Sequence, residues 1–264
     1  MKLHSITWGR GETKAVFLHG FAGSSRSFDH LEPLLGDLLT ATCVDLPGHG
    51  ASPLPSSWDE VVDSVAALLD ERTVLFGYSQ GARVALAVAQ KVPQKLERLV
   101  LESGAAGFRR RRDRLLRRRS DEGLAELIRS RGVDGFVEHW ERLPLFAGLR
   151  ALPAVEQEAL RQRRASHTVE GLSSALRTMG QGAQPDLWPG LQGLRVPTLL
   201  ITGAADEKYT RIARRMTVDL PLAWRVSFRG IGHAPHLECP ALYAAEVRAF
   251  LTPRWLAEPQ ELAP

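Results

Sequence analysis

Gly77-Tyr78-Ser79-Gln80-Gly81 constrains this chain more than any other feature, because it lies between the apolar run Thr73-Val74-Leu75-Phe76 and the helix-forming stretch Ala82 to Gln90. A Ser in G-x-S-x-G between a strand and a helix sits on a strained turn that lifts its hydroxyl above a sheet and aims the first helical N–H groups at the same spot. The flanking glycines let the backbone make that turn. A Ser with no chemistry to do has no need of such a scaffold.

Other segments fall into the order that this scaffold requires. Ala15-Val16-Phe17-Leu18 reads as a buried strand running into His19-Gly20-Phe21-Ala22-Gly23, a Gly-containing loop placed where a second oxyanion donor should arise. Ala41 to Asp45 is a strand closed by the turn-rich Leu46-Pro47-Gly48-His49-Gly50, and Leu99-Val100-Leu101-Glu102 is another beyond the Ser helix. Pro197 to Gly203 resumes the sheet much later, Asp206 stands just past its end, and Gly232-His233 follows the strand-like run Trp224 to Phe228. The chain order is Ser, Asp, His, as in α/β-hydrolases. The expected fold class is α/β: the α/β-hydrolase fold, a mainly parallel central sheet flanked by helices with right-handed crossovers and an inserted helical cap.

The chemistry says why these three residue types should meet. A Ser hydroxyl is a poor nucleophile or base at neutral pH, so His233 must take its proton, and a carboxylate must hold the imidazole in the useful tautomer. Asp206 fits because it directly follows a buried strand, which its rivals Asp186 and Asp219 do not. His233 follows a Gly in a loop that can reach the sheet top. His236 starts a short helical segment with Leu237 and Glu238, and reads as a loop-packing or substrate-side residue.

With 264 residues the chain is long enough to bury a sizeable core in one main domain. Met1 to Ala15 is polar, and no run approaches the length of a membrane span, so a cytoplasmic protein is expected. Cys43 and Cys239 lack metal-ligand spacing; Cys43 reads as a small core residue, and neither suggests a structural disulfide. Nothing calls for a metal or an organic cofactor. Strand and helix patterns alternate to about Ser103 and resume near Val196. A core of residues 1–103 and 195–257 is therefore expected, with a helical cap insertion over 104–194 and a loose tail over 258–264.

The net charge of +4 is local in origin. Arg109 to Arg119 holds eight Arg and one Asp, which leaves about −3 for the remainder. No nucleic-acid motif accompanies the run and the remaining surface is not basic, so neither nucleic acid nor membrane is an expected partner. The run reads as a solvated helix face from which one or two Arg turn inward to a carboxylate. Arg83 is different, for it lies in the first turns of the Ser helix, where an unpaired guanidinium is costly to bury. It asks for an anion, either a structural Asp or Glu or a carboxylate of the substrate. Arg163 and Arg164 pose the same question.

Together, Leu18-His19-Gly20-Phe21, Val44 to Gly50, Gly77-Tyr78-Ser79-x-Gly81-x-Arg83-Val84 and Leu101-Glu102-Ser103 resemble the menaquinone-pathway α/β-hydrolases, the 2-succinyl-6-hydroxy-2,4-cyclohexadiene-1-carboxylate synthases. Arg117 to Asp121, Trp140 to Phe146, Gln184 to Leu187, Gly203 to Tyr209 and Gly232 to Glu238 extend the similarity over nearly the whole chain. The resemblance implies a lyase on a hydrolase scaffold: Ser79, His233 and Asp206 remove a ring proton and pyruvate is eliminated. It also implies an oxyanion hole from the Phe21 and Gln80 N–H groups, substrate-binding arginines at Arg83, Arg117 and Arg164, and Trp140 as a cap wall. The substrate is then a small polycarboxylate anion; monomer and homo-oligomer both remain open. Two alternatives stand beside it, a serine carboxylesterase or thioesterase working through acyl-Ser79, and a catalytically idle binding protein with the Arg run as its docking face.

Overall fold

A computed structural model describes residues 1–252, so the expected tail at 258–264 lies outside the described residues. Seven strands are β1 Ser5–Trp8, β2 Thr13–Leu18, β3 Leu39–Val44, β4 Thr73–Tyr78, β5 Leu96–Glu102, β6 Thr198–Gly203 and β7 Ala223–Phe228. They form one sheet in the order β1-β3-β2-β4-β5-β6-β7. Every adjacent pair is parallel except β1 with β3. The sequence reading did not contain β1. Only Trp8 of its four residues is buried, so this edge strand carries almost no hydrophobic pattern.

The helices are α1 Glu32–Leu35, α2 Trp58–Ala66, α3 Gln80–Lys91, α4 Arg111–Glu141, α5 Ala154–Ala165, α6 Val169–Met179, α7 Glu207–Asp219, α8 Pro235–Glu238 and α9 Pro240–Leu251. The middle strands carry unbroken apolar runs, Ala15–Leu18, Val74–Phe76, Leu99–Leu101 and Leu199–Ile201, because helices cover both faces. In β2 and β4, Leu18 and Leu75 enter the core that includes α2, α3 and α7, while Phe17 and Phe76 enter the core on the other face, with α9. Phe17 and Phe76 are stacked 4.1 Å apart across the β2–β4 register. Truncating either ring would cost about 3–5 kcal/mol through lost burial and the cavity left behind.

Between β5 and β6 the chain leaves the sheet and forms α4, α5 and α6. Gly132 interrupts α4 with φ 69° and ψ −179°, so the helix is two pieces joined at a kink that a β-carbon would strain. Ala125, Ile128, Phe136 and Val137 of α4 pack on Leu172 and Leu176 of α6, and Ala22 of the loop after β2 joins them. Phe146 and Leu149, beyond α4, pack with Ala234 beside the second His loop. These two clusters seat the helical segment over the carboxyl ends of β2 and β4. Among the described residues, no helix is long and apolar enough to cross a membrane. Cys43 is buried in β3, and burial pushes its thiol up to about 12, as suits a core residue.

Candidate active site

Ser79 follows the last residue of β4 and caps α3, with φ 50° and ψ −103°. That backbone is strained for a residue with a side chain and persists only where its surroundings enforce it. Its N–H donates to the Glu102 carbonyl at 2.8 Å, tying the turn to the end of β5. The motif's glycines have a steric cause. A Cβ on Gly77 would stand 2.5 Å from the Gly81 carbonyl oxygen, and one on Gly81 would stand 2.1 Å from the Leu18 carbonyl oxygen.

His233 Nε2 accepts from Ser79 Oγ at 3.0 Å, and its Nδ1 donates to Asp206 Oδ2 at 2.6 Å. Ring and carboxylate are both buried, so the pair works in a low dielectric. Asp206 also caps α7, with Oδ1 accepting from the Tyr209 N–H at 3.2 Å. The His loop is held by Glu238, which accepts from the N–H groups of Gly232 at 2.6 Å and Ala234 at 3.1 Å. The rival carboxylates lie elsewhere: Asp186 caps the turn at Trp188, and Asp219 pairs with Arg109.

Phe21 and Gln80 both line the cavity over Ser79, and no protein acceptor takes either backbone N–H among the described residues. Two buried histidines anchor the Phe21 loop. His19 Nε2 accepts from the Leu46 N–H at 2.9 Å, and His49 Nε2 accepts from the Ala22 N–H at 3.2 Å. Burial is the main cause that pushes His19 down to about 4 and His49 well below the usual range, so both stay neutral acceptors at pH 7. Their motif positions were legible in the sequence. Their anchoring role was not, because it joins loops 27 residues apart.

Arg83 is buried and lines the same cavity, with its guanidinium donating to the Met179 carbonyl at 2.8 Å. Of the two anions that sequence reasoning held open, the structural carboxylate is absent: no described Asp or Glu lies within ion-pair distance. A backbone carbonyl on the end of α6 takes one donor instead. Burial pushes Arg83 down to about 10, so it is still a cation at neutral pH. Arg117 donates from Nε to Asp121 Oδ1 at 2.7 Å and also to Gln181, and Asp121 Oδ2 accepts from the Gly182 N–H at 2.8 Å. Arg164 pairs with Glu141 at 3.0 Å and lies over the Phe146 ring. Trp140 forms part of the wall beside Phe21, Phe136 and Phe146. From Arg109 to Arg119, Arg114 and Arg117 are half-buried and the other Arg exposed. Only Arg117 reaches the cavity.

Lys208 and Tyr209 also line the cavity and were quoted in the sequence only as part of a motif. Burial and then the Arg117 charge push Lys208 down, and the Tyr209 hydroxyl accepts from Gln181 Nε2 at 2.6 Å. The local signal for both was the acid loop they follow. The cavity is cationic, walled by aromatic rings, and floored by a polarised Ser.

A mainly parallel sheet of this order, with Ser, Asp and His meeting at its carboxyl edge, defines the class as an α/β-fold enzyme. The alpha/beta hydrolase family model matches residues 15–246. A 2-succinyl-6-hydroxy-2,4-cyclohexadiene-1-carboxylate synthase of Serratia proteamaculans is 32% identical over 243 residues, 89% of this chain and 92% of its own length. A Bacillus subtilis protein that carries this synthase name provisionally is 35% identical over 90% of this chain and 89% of its own. The solved structure of MenH from S. aureus superposes with a TM-score of 0.90 at 32% identity, covering 94% of this chain and 97% of that one. The chain belongs to the alpha/beta hydrolase family and, within it, to the group of the 2-succinyl-6-hydroxy-2,4-cyclohexadiene-1-carboxylate synthases.

Proposed function

We propose that the protein is a lyase that eliminates pyruvate from 2-succinyl-5-enolpyruvyl-6-hydroxy-3-cyclohexene-1-carboxylate, with residues 104–194 as the cap that encloses this anion in the cytoplasm. The observation that carries the reading is Arg83: a buried guanidinium without a carboxylate of its own, in the cavity that contains the hydrogen-bonded Ser79 and His233. A polycarboxylate substrate supplies the missing anion.

The chemistry follows from the bonds that must change. The hydrogen on ring carbon 2 is acidified by the succinyl ketone beside it. Ser79 Oγ, its own proton drawn toward His233 Nε2, removes that hydrogen, and Asp206 stabilises the imidazolium that results. The electron pair passes along the ring as the 2,4-diene forms. The bond from carbon 5 to oxygen breaks, and the enolate that departs takes a proton on carbon to become pyruvate. In this reading the Phe21 and Gln80 N–H groups hold the negative charge that builds on the ketone oxygen. Arg83, Arg117 and Arg164 bind carboxylates, and Trp140 packs on the ring.

The second reading is a serine esterase, favoured by the same 3.0 Å contact between Ser79 and His233. An esterase of Thermogutta terrifontis, solved with malate bound, is 27% identical with a TM-score of 0.79. Pyruvate release from the enolpyruvyl substrate, generated in situ and compared with cleavage of a neutral p-nitrophenyl ester, separates the two. Rapid, Ser79-dependent pyruvate release supports the lyase. Release no faster than the spontaneous rate, with brisk ester cleavage, establishes the esterase.

A further inference from the structure

One buried ionisable pair beside the site has no part in the mechanism above. Glu102 and His236 are each 1% exposed. Glu102 Oε1 accepts from the His236 N–H at 3.1 Å and from His236 Nδ1 at 2.7 Å. The backbone carbonyl of the same Glu102 is the acceptor for Ser79, so the pair stands directly behind the elbow. His236 forms part of the cavity wall, and its Nε2 has no protein partner among the described residues. The Tyr78 ring meets the imidazole edge-on at 4.6 Å and Phe28 packs at 5.2 Å, which fixes the ring's orientation.

The Glu102 carboxyl group is buried with the Tyr243 phenol beside it, and a carboxylate held there as an anion is stabilised by a neighbouring cation. Among the described residues, its ion-pair partner is His236. The other titratable groups around the ring are Tyr78 from β4, Tyr243 from α9, His30 from the turn before α1, and His233 and Glu238 of its own loop. His30 donates to the His236 carbonyl at 2.8 Å, and burial followed by the charge of His236 pushes it down to about 4, so it stays neutral.

We propose that Glu102 and His236 form a charged pair whose Nε2–H donates to a carboxylate of the bound substrate, with His236 as a further substrate-binding residue and Glu102 as the positioning residue behind it. The inference rests on the reading of the substrate as a polycarboxylate. Arg83 on α3, Arg117 on α4, Arg164 on α5 and His236 on α8 then surround one cavity with cationic donors from four elements, as a ligand with several carboxylates requires.

Phthalate, a ring dicarboxylate, and its neutral dimethyl ester are the probes, titrated calorimetrically at pH 7 into the wild type, His236→Asn and Glu102→Gln. The Asn amide retains a donor toward Glu102 but has nothing at the Nε2 position. The ratio of phthalate to dimethyl phthalate affinity is expected to fall at least about tenfold in both variants, the size of a lost charge-assisted hydrogen bond. A purely structural role would weaken both probes together. An unchanged ratio, or no phthalate binding by the wild type, overturns the proposal. Should a variant fail to fold, ¹⁵N-histidine NMR of the wild type decides: both His236 nitrogens protonated at pH 7 and Nε2 shifted by phthalate support the pair, while a neutral ring overturns it. Pyruvate release, assayed in parallel, tests only the lyase reading. Its failure with the phthalate result intact leaves an anion subsite in a different enzyme.

Discussion

Gly81 approaches the end of β2 so closely that a Cβ on it would stand 2.1 Å from the Leu18 carbonyl oxygen. The backbone atoms it would meet cannot move without shifting β2 in the middle of the sheet. Gly81→Ala is therefore expected to destabilise the protein by about 2–4 kcal/mol and to disturb the elbow at the same time. Thermal denaturation checks it. A melting temperature within a degree or two of the wild type would mean that the turn relaxes freely.

Ser79 and Asp206 play different parts in the same proposed proton removal. Ser79→Ala is expected to lower kcat by about three orders of magnitude or more, and Asp206→Asn by about two to four, with KM changed much less in both. Coupled detection of pyruvate measures this. Retention of more than a tenth of wild-type turnover by Ser79→Ala would remove Ser79 from the chemistry.

Arg83 offers its charge to the cavity while one donor remains on the Met179 carbonyl. Arg83→Ala is expected to reduce kcat/KM for the anionic substrate by about 10²-fold or more, the loss of a charge-assisted contact, and to affect a neutral ester far less. Arg83→Lys retains the charge but not the fork and should recover part of the loss. Equal losses on the two substrates would make Arg83 structural.

Acid should unfold this protein through its histidines. Burial holds His19 and His30 at about 4 and His49 well below its ordinary value, so the unfolded chain binds protons that the folded one refuses. Stability is therefore full above about pH 6.5 and falls as pH drops from there toward about 4, by up to about 3 kcal/mol for His19 alone. Urea midpoints between pH 8 and pH 4.5 test this. A flat profile across that window would show that these rings protonate without opening the Phe21 loop.

The triad was legible because each member stands beside a local signal: Ser79 between glycines, Asp206 directly after an apolar strand, and His233 behind a Gly. The same locality revealed β2 to β7, of which β2, β4, β5 and β6 carry apolar runs covered on both faces. β1 escaped because an edge strand with one buried residue has no period to read. The helices between β5 and β6 were legible as a composition, rich in Arg, Leu, Glu and Gln. Which of their arginines turn inward was not, since Arg117 and Arg118 differ only in the helix face they occupy.

The sequence by itself determined the class of sheet, the order Ser, Asp, His, and which three residues meet by hydrogen bonds, because strand patterns and Gly-flanked turns are written in neighbouring positions. Only the tertiary structure decided that Arg83 rests on a backbone carbonyl, that His19 and His49 hold the Phe21 loop, and that Glu102 joins the Ser79 turn to His236. Those contacts link residues 23 to 134 positions apart, four of them through a backbone N–H or carbonyl, groups that no residue type announces.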